Sequence, residues 1–408
     1  MMKYPWKRLG LYGLAMVGGV CAGLSSSEWL FTLAHFCSEA FIRLFRCVSL
    51  PIISLSLIVA LSRYGENRSL NAIWKRTLMY VLTTTLLAVT VSAILYYLIA
   101  PERVQVLTAD THVRTLVAGS YLKYLLQIIP DNALGIFIEN QVLAVLVLSF
   151  MVGMAIRGIP DPVVRTHIQR FFEGLHSILS TIIRYIIAGL PLGLFGFIGV
   201  GIRGINASVA LQGMGAYFLV VVLANILQGT LVLPLFLLWK HQNPLRVFKG
   251  MLPALSIAFF TKSSVGTLPV TLQQVEHKLG VKPQVGQFVL PLCTTINMNG
   301  CGTFIFTTVL YVMHNQGIEI TLGMMLAWIL IATLAAIGNA GVPMGCFFLS
   351  ASLLSSMNVP VELMGMILPI YSVIDMLETA LNVWSDSCVT LAVNHDMQMN
   401  SHACLSDC

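Results

Sequence analysis

Charge is what this sequence has least of. Asp, Glu, Lys and Arg make up 10% of its 408 residues, whereas a soluble domain carries about 25% charged residues. Hydrophobic residues make up 57%, and the mean hydropathy is +0.84. No soluble shape of this length could bury so much apolar surface. The composition therefore excludes a water-soluble protein and predicts that lipid is the main solvent.

Enzyme motifs are missing as well. The sequence contains no HExxH, GxSxG or P-loop motif, and the carboxylates of DMLETALNVWSD have no histidine close by in sequence. We therefore expect a protein that is not an enzyme. A disulfide framework is not expected either, because the nine cysteines are scattered and most lie inside apolar runs. In the tail HACLSDC we expect a solvated, disordered segment, with a metal cluster of His402, Cys404 and Cys408 as the alternative.

What the sequence has instead is long apolar runs. About 20 apolar residues suffice to cross a bilayer as a helix, so we predict an all-α polytopic membrane protein. The fourth run contains PDNALG and is too long for one straight span, which predicts a broken helix. The first 250 residues then hold six spans, at about 9–26, 40–62, 77–100, 118–156, 173–200 and 209–239.

The basic residues lie mainly in short loops between these runs. With six spans, every Lys and Arg cluster falls on one side, beginning with Lys3, Lys7 and Arg8. The net charge of +6 is therefore a topology signal rather than a nucleic-acid-binding surface. We expect a multi-pass protein of the cytoplasmic (inner or plasma) membrane with cytoplasmic N- and C-termini. MMKYPWKR leads into a run without a clear cleavage site, so no cleavable signal peptide is expected.

After residue 250 the pattern changes. The segment 251–280 carries its polar residues in the middle, at TKSSVGT, and the segment 321–358 carries GNAGVPMG near its centre. Irregular backbone at membrane depth is tolerated only where it is buried in protein or lines a water-filled cavity. Two such interruptions, each followed by a helix with a polar band, predict inverted repeats around a midplane site. The pattern indicates a transporter or a channel with two re-entrant helical hairpins.

Polar residues concentrate in four motifs of this C-terminal part. Ser263 and Ser264 lie at the first interruption, where small residues free backbone groups to face a ligand. Asn297 and Asn299 lie in TTINMNGCGTF, where Gly300 and Gly302 predict local unwinding. The second interruption, GNAGVPMG, supplies small residues around residue 342.

The fourth motif is DMLETALNVWSD. At 100° per residue its polar side chains fall within about 100° of arc and form one stripe. An embedded carboxylate is by default a functional-site hypothesis, and Asp, Asn and backbone oxygens suit a hard cation such as Na⁺. The alternative is a satisfied hydrogen-bond network between helices. The stripe consists of Asp375, Glu378, Thr379, Asn382 and Asp386.

These motifs resemble the dicarboxylate/amino acid:cation symporter family, the sodium-coupled glutamate and neutral amino-acid transporters. The likeness rests on SSVGTLP, TINMNG, GNAGVP and D-x-x-x-T-x-x-N-x-x-x-D, and upstream on SLPIISLSLIVAL and PDNALGIFIENQVLAVLVLSF. It implies eight transmembrane helices, two re-entrant hairpins and a homotrimer with elevator-type transport domains. Residues 1–250 would then form mainly the scaffold, with spans three and six packing against the transport core. Residues 251–396 would form that core, and 397–408 a cytoplasmic tail.

The resemblance also assigns roles to individual residues. Asp375 would meet the amino group of the substrate, and Ser264 and Asn382 its α-carboxylate. The rest of the substrate set is Ser263, Cys301, Val342, Glu378 and Thr379. The sodium set is Thr84, Thr85, Cys293 (through its carbonyl), Asn297, Asn299, Asn382 and Asp386. Na⁺ would be the transported coupling ion, and no organic cofactor is expected.

Two departures from the family pattern bear on the substrate. Glu378 stands where members that carry acidic substrates have an arginine, and Cys301 replaces a threonine. ETALN resembles the serine/threonine-transporting branch, so we expect a small neutral amino acid such as serine or threonine. The alternatives are an acidic amino-acid or dicarboxylate symporter, a proton-coupled carrier, and a carrier of a cationic or dipolar amino acid that uses Glu378. A pairing of Lys262 with Glu378 stays open, and an ion channel is the remote alternative.

A third departure concerns the ions. Asn299 replaces the aspartate of the NMDG motif, and Val81 replaces a tyrosine, whereas Thr84 and Thr85 remain. The ion site built from these groups loses its only formal charge. We therefore expect fewer coupled cations than in the glutamate transporters.

Overall fold

The computed structural model of the chain describes residues 5–25, 27–62, 68–103, 130, 132–139, 141–203, 207–339, 344–357 and 359–406. Every regular element in these residues is a helix, so the all-α prediction is confirmed for this part of the chain. In the N-terminal half the helices are α1 (Pro5–Leu24), α2 (Glu28–Ser62), α3 (Arg68–Ile99), α4 (Gly135–Ile138), α5 (Val142–Arg157), α6 (Pro162–Ala188), α7 (Leu190–Arg203), α8 (Ala207–Leu227) and α9 (Leu233–Trp239), with a π-helical turn at Gln228–Val232 between α8 and α9.

Seven helices follow in the C-terminal part. The first two pack against each other as a helical hairpin, the next two form a broken helix, two more lie on either side of residues 340–343, and the last is one long helix. They are α10 (Pro244–Thr261), α11 (Ser264–His277), α12 (Pro283–Ile296), α13 (Asn299–Asn315), α14 (Leu322–Gly338), α15 (Gly345–Ser356) and α16 (Glu362–Ser406).

Four helical segments of the described residues are long and apolar enough to cross a membrane. They are Ala72–Ile99, Met214–Trp239, Pro283–Asn315 and Leu363–Met399. The pair Pro162–Ile186 and Pro191–Val200 is bent by 58° and adds a fifth if it is one span. Further apolar helices, including α14 and α15, are 10–17 residues long. The described helices therefore support a multi-pass membrane protein.

Some element bounds differ from the sequence expectations. The run 173–200, expected as one span, is divided between α6 and α7 near Gly189. The break expected around PDNALG lies just before α4, where Asn132 Oδ1 accepts hydrogen bonds from the N–H groups of Leu134 and Gly135 at 2.9 and 3.1 Å, and a second break separates α4 from α5. The last helix continues to Ser406, into the HACLSDC segment that was expected to be disordered. The side chains of the His402, Cys404 and Cys408 alternative lie outside the described residues.

The first interruption is a helix–turn–helix whose turn follows from its residues. Lys262 ends α10 in the left-handed conformation, with φ 53°. Ser263 then caps α11, since its side chain accepts a hydrogen bond from the N–H of Gly266 at 3.0 Å. The short polar sequence TKSS therefore reverses the chain within a few residues.

The second interruption lies between α14 and α15. Asn339 closes α14, and Met344 precedes α15 in the left-handed conformation, with φ 58°. Residues 340–343, which include Val342, lie outside the described residues.

Helix α13 is the centre of the C-terminal part. All residues from Asn299 to Met313 are buried, and the helix packs against α3, α8, α14, α15 and α16. The unwound residues are Asn297 and Met298, with φ/ψ of −96°/78° and −112°/61°. Gly300 and Gly302, which were expected to unwind the chain, lie inside α13 instead.

The glycines allow neighbouring helices to approach closely. A Cβ atom at Gly300 would lie 2.7 Å from Glu378 Cα, and one at Gly302 would lie 2.9 Å from a methyl group of Val89. The absence of a side chain at Gly300 therefore brings the backbone of α13 against α16 at the position of Glu378.

Candidate functional site

A small pocket lies between the first hairpin tip, the break before α13, α15 and the middle of α16. It is lined by residues of four helices and of three junctions between helices. They are Lys262, Ser264, Met298, Cys301, Asn339, Cys346, Tyr371, Asp375, Glu378, Thr379 and Asn382.

The pocket brings together most of the residues proposed from sequence to contact a substrate. Six of them line it: Ser264, Cys301, Asp375, Glu378, Thr379 and Asn382. Ser263 is not a lining residue, because its hydroxyl caps α11. Val342 lies outside the described residues.

Glu378 is buried in this pocket with one oxygen unsatisfied. Its residue exposure is 1%. Oε2 accepts a long hydrogen bond from Cys346 Sγ at 3.4 Å, and Oε1 has no partner among the described residues. Leaving such a group unpaired is costly. The carboxylate is therefore an acceptor available to a ligand's donor.

Lys262 also lines the pocket, but it forms no ion pair with Glu378. Its Nζ donates a hydrogen bond to Ser372 Oγ at 3.1 Å, and the ion pairs between described residues do not include Lys262 with Glu378. The pairing of Lys262 with Glu378 that the sequence left open is absent from this structure.

The residues proposed for sodium form two adjoining hydrogen-bond networks beneath the pocket. In the first, Asn297 Nδ2 donates to Asp386 Oδ1 at 2.9 Å and to Ser385 Oγ at 3.0 Å, while Thr84 Oγ1 donates to Asn297 Oδ1 at 3.3 Å. All four side chains are buried. Asp386 Oδ2 has no hydrogen-bond partner among the described residues, so this network keeps one free carboxylate oxygen.

The second network is complete without a ligand. Asn299 Oδ1 accepts from Thr85 Oγ1 at 2.8 Å, and Asn299 Nδ2 donates to Ser385 Oγ at 2.6 Å. Both ends of the amide are therefore engaged by protein groups. Asp386 therefore has a side-chain oxygen without a partner among the described residues, whereas Asn299 has none.

Asn382 and Cys293 lie at the edges of the first network. Asn382 Oδ1 accepts the N–H of Gly300 at 2.9 Å, and its Nδ2 points at Met298 Sδ and Cys301 Sγ, at 3.4 and 3.5 Å. No described hydrogen bond joins Asn382 to Asp386, so Asn382 belongs to the pocket and the helix break. The Cys293 carbonyl accepts the N–H of Asn297 at 2.8 Å, at the end of α12.

Four lining residues were not proposed from the sequence: Met298, Asn339, Cys346 and Tyr371. Tyr371 lies one turn before Asp375 on α16, so helical periodicity could have identified it. Met298 lies between the two asparagines of NMN. Asn339 and Cys346 flank the second tip, and the packing of α14 and of α15 against α13 brings them to the pocket.

A partly buried polar cluster lies farther along α16. Asp396 accepts hydrogen bonds from Tyr80 and from Lys240, the latter at 3.0 Å, and forms an ion pair with Arg76 at 3.4 Å. No pattern in the sequence indicated this cluster. It connects α3, the end of α9 and α16 near one end of the pocket-bearing helices.

Comparison with known proteins gives one family and many relatives. The family model described as the sodium:dicarboxylate symporter family matches residues 11–396. Neutral amino acid transporter A of Homo sapiens is 24% identical over 421 residues, which cover 93% of this chain and 79% of that protein. Excitatory amino acid transporter 4 of Mus musculus is 30% identical over 269 residues, covering 65% and 47%. An uncharacterized symporter of Haemophilus influenzae is 26% identical over 367 residues, covering 85% and 82%.

Proposed function

The chain belongs to the sodium:dicarboxylate symporter family, and we propose that it is a secondary active symporter that imports an amino acid together with Na⁺. The names of its relatives include neutral and excitatory amino acid transporters. The observation that carries the proposal is the arrangement around the break at Asn297–Met298. Met298 of this break lines the pocket, and the adjacent Asn297 is hydrogen-bonded to Asp386. Ligands bound at sites that share a structural element can stabilise each other, which is the reciprocal coupling a symporter needs.

The preferred substrate is a small neutral amino acid such as serine or threonine. Glu378 Oε1 faces the pocket without a donor, and a substrate hydroxyl would supply one. A substrate carboxylate at 4 Å would be repelled by about 4 kcal/mol at an effective dielectric of 20, which corresponds to about a thousandfold in affinity. Acidic amino acids are therefore disfavoured at this site.

The backbone ends of the substrate have separate partners. Ser264 begins α11, so the positive end of that helix dipole favours the α-carboxylate, with the amide of Asn382 as the second contact. Asp375, one turn before Glu378 and Thr379, would hold the amino group. Val342 would contribute backbone to a lid formed by the second hairpin tip.

One Na⁺ would bind between Asp386, Asn297 and Asn382, with Thr84 and the Cys293 carbonyl nearby. The unpartnered Oδ2 of Asp386 supplies the formal charge. A further Na⁺ would lie on backbone oxygens under the second hairpin tip. At Asn299 the amide is satisfied by Thr85 and Ser385. This supports fewer coupled cations than in the glutamate transporters.

The proposed architecture has eight transmembrane helices and two re-entrant hairpins in inverted repeats. The pairs α10–α11 and α14–α15 would be the hairpins, and α12–α13 the broken seventh span. Residues 1–250 would supply mainly the scaffold, with α3 and α8–α9 packing against a transport core at 251–396. The protein would be a homotrimer with elevator-type motion, in the cytoplasmic membrane, with both termini cytoplasmic.

A thermal-shift screen with a matched uptake assay tests the proposal. The purified chain is heated with each amino acid in NaCl and in choline chloride, because a ligand that binds the folded state raises its apparent stability. Serine or threonine should stabilise the protein only in Na⁺, and proteoliposomes should accumulate the same amino acid down an imposed Na⁺ gradient. Stabilisation by glutamate or aspartate instead would contradict the substrate assignment. Stabilisation by lysine, or uptake driven by a proton gradient alone, would favour the cationic or proton-coupled alternative that Glu378 leaves open.

A further inference from the structure

The pocket contains a group of soft and hard potential metal ligands whose two thiols have no assigned contact with the backbone groups of the proposed substrate. Cys301 Sγ on α13, Cys346 Sγ on α15 and a carboxylate oxygen of Glu378 on α16 all lie within 4.8 Å of one another, and all three residues are buried. Each comes from a different helix, so sequence spacing does not reveal the group. The two thiols give this side of the pocket a polarisable surface beside a carboxylate.

Two buried oxygens at this place lack partners. Glu378 Oε1 and Asn339 Oδ1 form no hydrogen bond with a described residue, and the two residues are 1% and 3% exposed. A thiol is only a weak hydrogen-bond donor, so the long contact from Cys346 Sγ to Glu378 Oε2 compensates little of this cost. Packing within the protein therefore leaves both buried oxygens without the hydrogen bonds they need.

The surrounding amides are arranged to support thiolates. Asn339 Nδ2 donates towards Cys301 Sγ at 3.0 Å and towards Cys346 Sγ at 3.4 Å, and Asn382 Nδ2 lies 3.5 Å from Cys301 Sγ. Donors directed at sulfur stabilise the charged form that binds metals, and such outer contacts tune metal sites.

The distances fit a small tetrahedral cation. Zn–S bonds of about 2.3 Å and Zn–O bonds of about 2.0–2.2 Å place neighbouring ligand atoms about 3.3–3.8 Å apart. The Cys346 Sγ to Glu378 Oε2 separation is 3.4 Å. The remaining pairs lie within 4.8 Å and reach bonding distance with side-chain shifts of about 1 Å. Water or the amide oxygen of Asn339 can complete the set.

We propose that Cys301, Cys346 and Glu378 bind a thiophilic divalent cation such as Zn²⁺, and that this ion excludes the amino-acid substrate from the pocket. Binding releases the two thiol protons to solvent. The ion ties α15 of the second hairpin to α13 and α16. The exclusion rests on the proposed transport function, because Glu378 cannot serve the ion and a substrate hydroxyl together. The metal site itself does not depend on that function.

Cadmium is the probe, since its thiolate complexes absorb in the ultraviolet. The full chain is purified under reducing conditions with Cys21, Cys37, Cys47, Cys404 and Cys408 replaced by serine, and is titrated with Cd²⁺ in the absence of amino acids. One equivalent should bind with thiolate absorption, and Zn²⁺ should displace it. C301S, C346S and E378Q should each weaken binding by about tenfold or more. C388S, which removes a buried cysteine elsewhere on α16, should leave binding unchanged.

A second measurement needs no pocket variant. In the unmutated chain, Cd²⁺ should protect Cys301 and Cys346 together from alkylation, as read by mass spectrometry. Protection of neither residue, or titrations unchanged in a C301S/C346S double variant, would overturn the metal site. Serine should weaken Cd²⁺ binding in the presence of Na⁺, and undiminished Cd²⁺ affinity at saturating serine would overturn the exclusion. Cd²⁺ binding at these residues in a chain that transports no amino acid would support the site and contradict the transport function.

Discussion

Asn297 Nδ2 donates a hydrogen bond to Asp386 Oδ1 across 2.9 Å, linking the break between α12 and α13 to the final helix. The other oxygen of Asp386 is buried without a partner among the described residues. A buried carboxylate oxygen of this kind is suited to a cation. Asp386 therefore keeps one carboxylate oxygen for the proposed Na⁺, whereas the neighbouring Asn299 amide is bonded at both ends.

Replacing Asp386 with asparagine should weaken Na⁺ binding. Hydrogen bonds and contacts to charged groups are worth about 1.5–3 kcal/mol, so the apparent Na⁺ affinity should fall about tenfold to a hundredfold. The Na⁺ dependence of the thermal shift measures this directly. Glu276→Gln is the matched control, since Glu276 lies on α11 outside the pocket lining. An unchanged Na⁺ midpoint in Asp386→Asn would remove Asp386 from the sodium site.

The neighbouring Asn299 allows a gain-of-charge test. Asn299→Asp should destabilise the protein without Na⁺ by about 1–3 kcal/mol, because it buries a carboxylate charge without a counter-charge. High Na⁺ should restore the stability, and the Hill slope for Na⁺-driven uptake should rise above that of the unmodified chain.

Thr85 provides the control for this experiment, because its hydroxyl contacts Asn299 at 2.8 Å. Adding Thr85→Ala to Asn299→Asp should reduce the Na⁺ rescue. A three-sodium stoichiometry in the unmodified chain would refute the expectation that Asn299 removes a cation.

The polar stripe was predictable because it lies on one helix. Helical periodicity alone places Glu378, Asn382 and Asp386 on a common face, and all three are buried. The two interruptions were predictable for a similar local reason, since small residues and a left-handed turn interrupt a helix wherever they occur.

The partners of that stripe were not predictable in the same way. Gly300 was expected to unwind the chain, but its missing side chain serves helix packing and the break lies at Asn297–Met298. Cys346 and Asn339 reach the pocket only because α15 and α14, respectively, pack against α13. Such contacts join residues distant in sequence and depend on tertiary packing, which no local pattern encodes.

Glu378→Gln should weaken the binding of an amino acid with a hydroxyl side chain more than the binding of one with an alkyl side chain. If Oε1 accepts the hydroxyl of serine, losing the charge should weaken serine binding by about tenfold to a hundredfold. Alanine, which lacks the hydroxyl, should be affected far less. Competition uptake or thermal shifts are measured with each amino acid on each protein. The four values form a cycle analogous to a double-mutant cycle, which isolates the contact between Glu378 and the hydroxyl group. Equal losses for serine and alanine would mean that Glu378 supports the pocket without reading the hydroxyl.

Gly300→Ala should destabilise the fold at the pocket. The added Cβ would lie 2.7 Å from Glu378 Cα and 2.9 Å from Asn225 Oδ1, and the first of these is backbone that cannot rotate away. Overpacking of this kind costs about 1–3 kcal/mol, so the apparent melting temperature of the purified protein should fall. Gly323→Ala is the matched control, because a Cβ there meets nothing within 4 Å and alanine favours a helix by about 1 kcal/mol over glycine. Melting temperatures that change equally in the two variants would show that α13 and α16 have room to separate at Gly300, and the close approach that positions Glu378 would then not constrain the pocket.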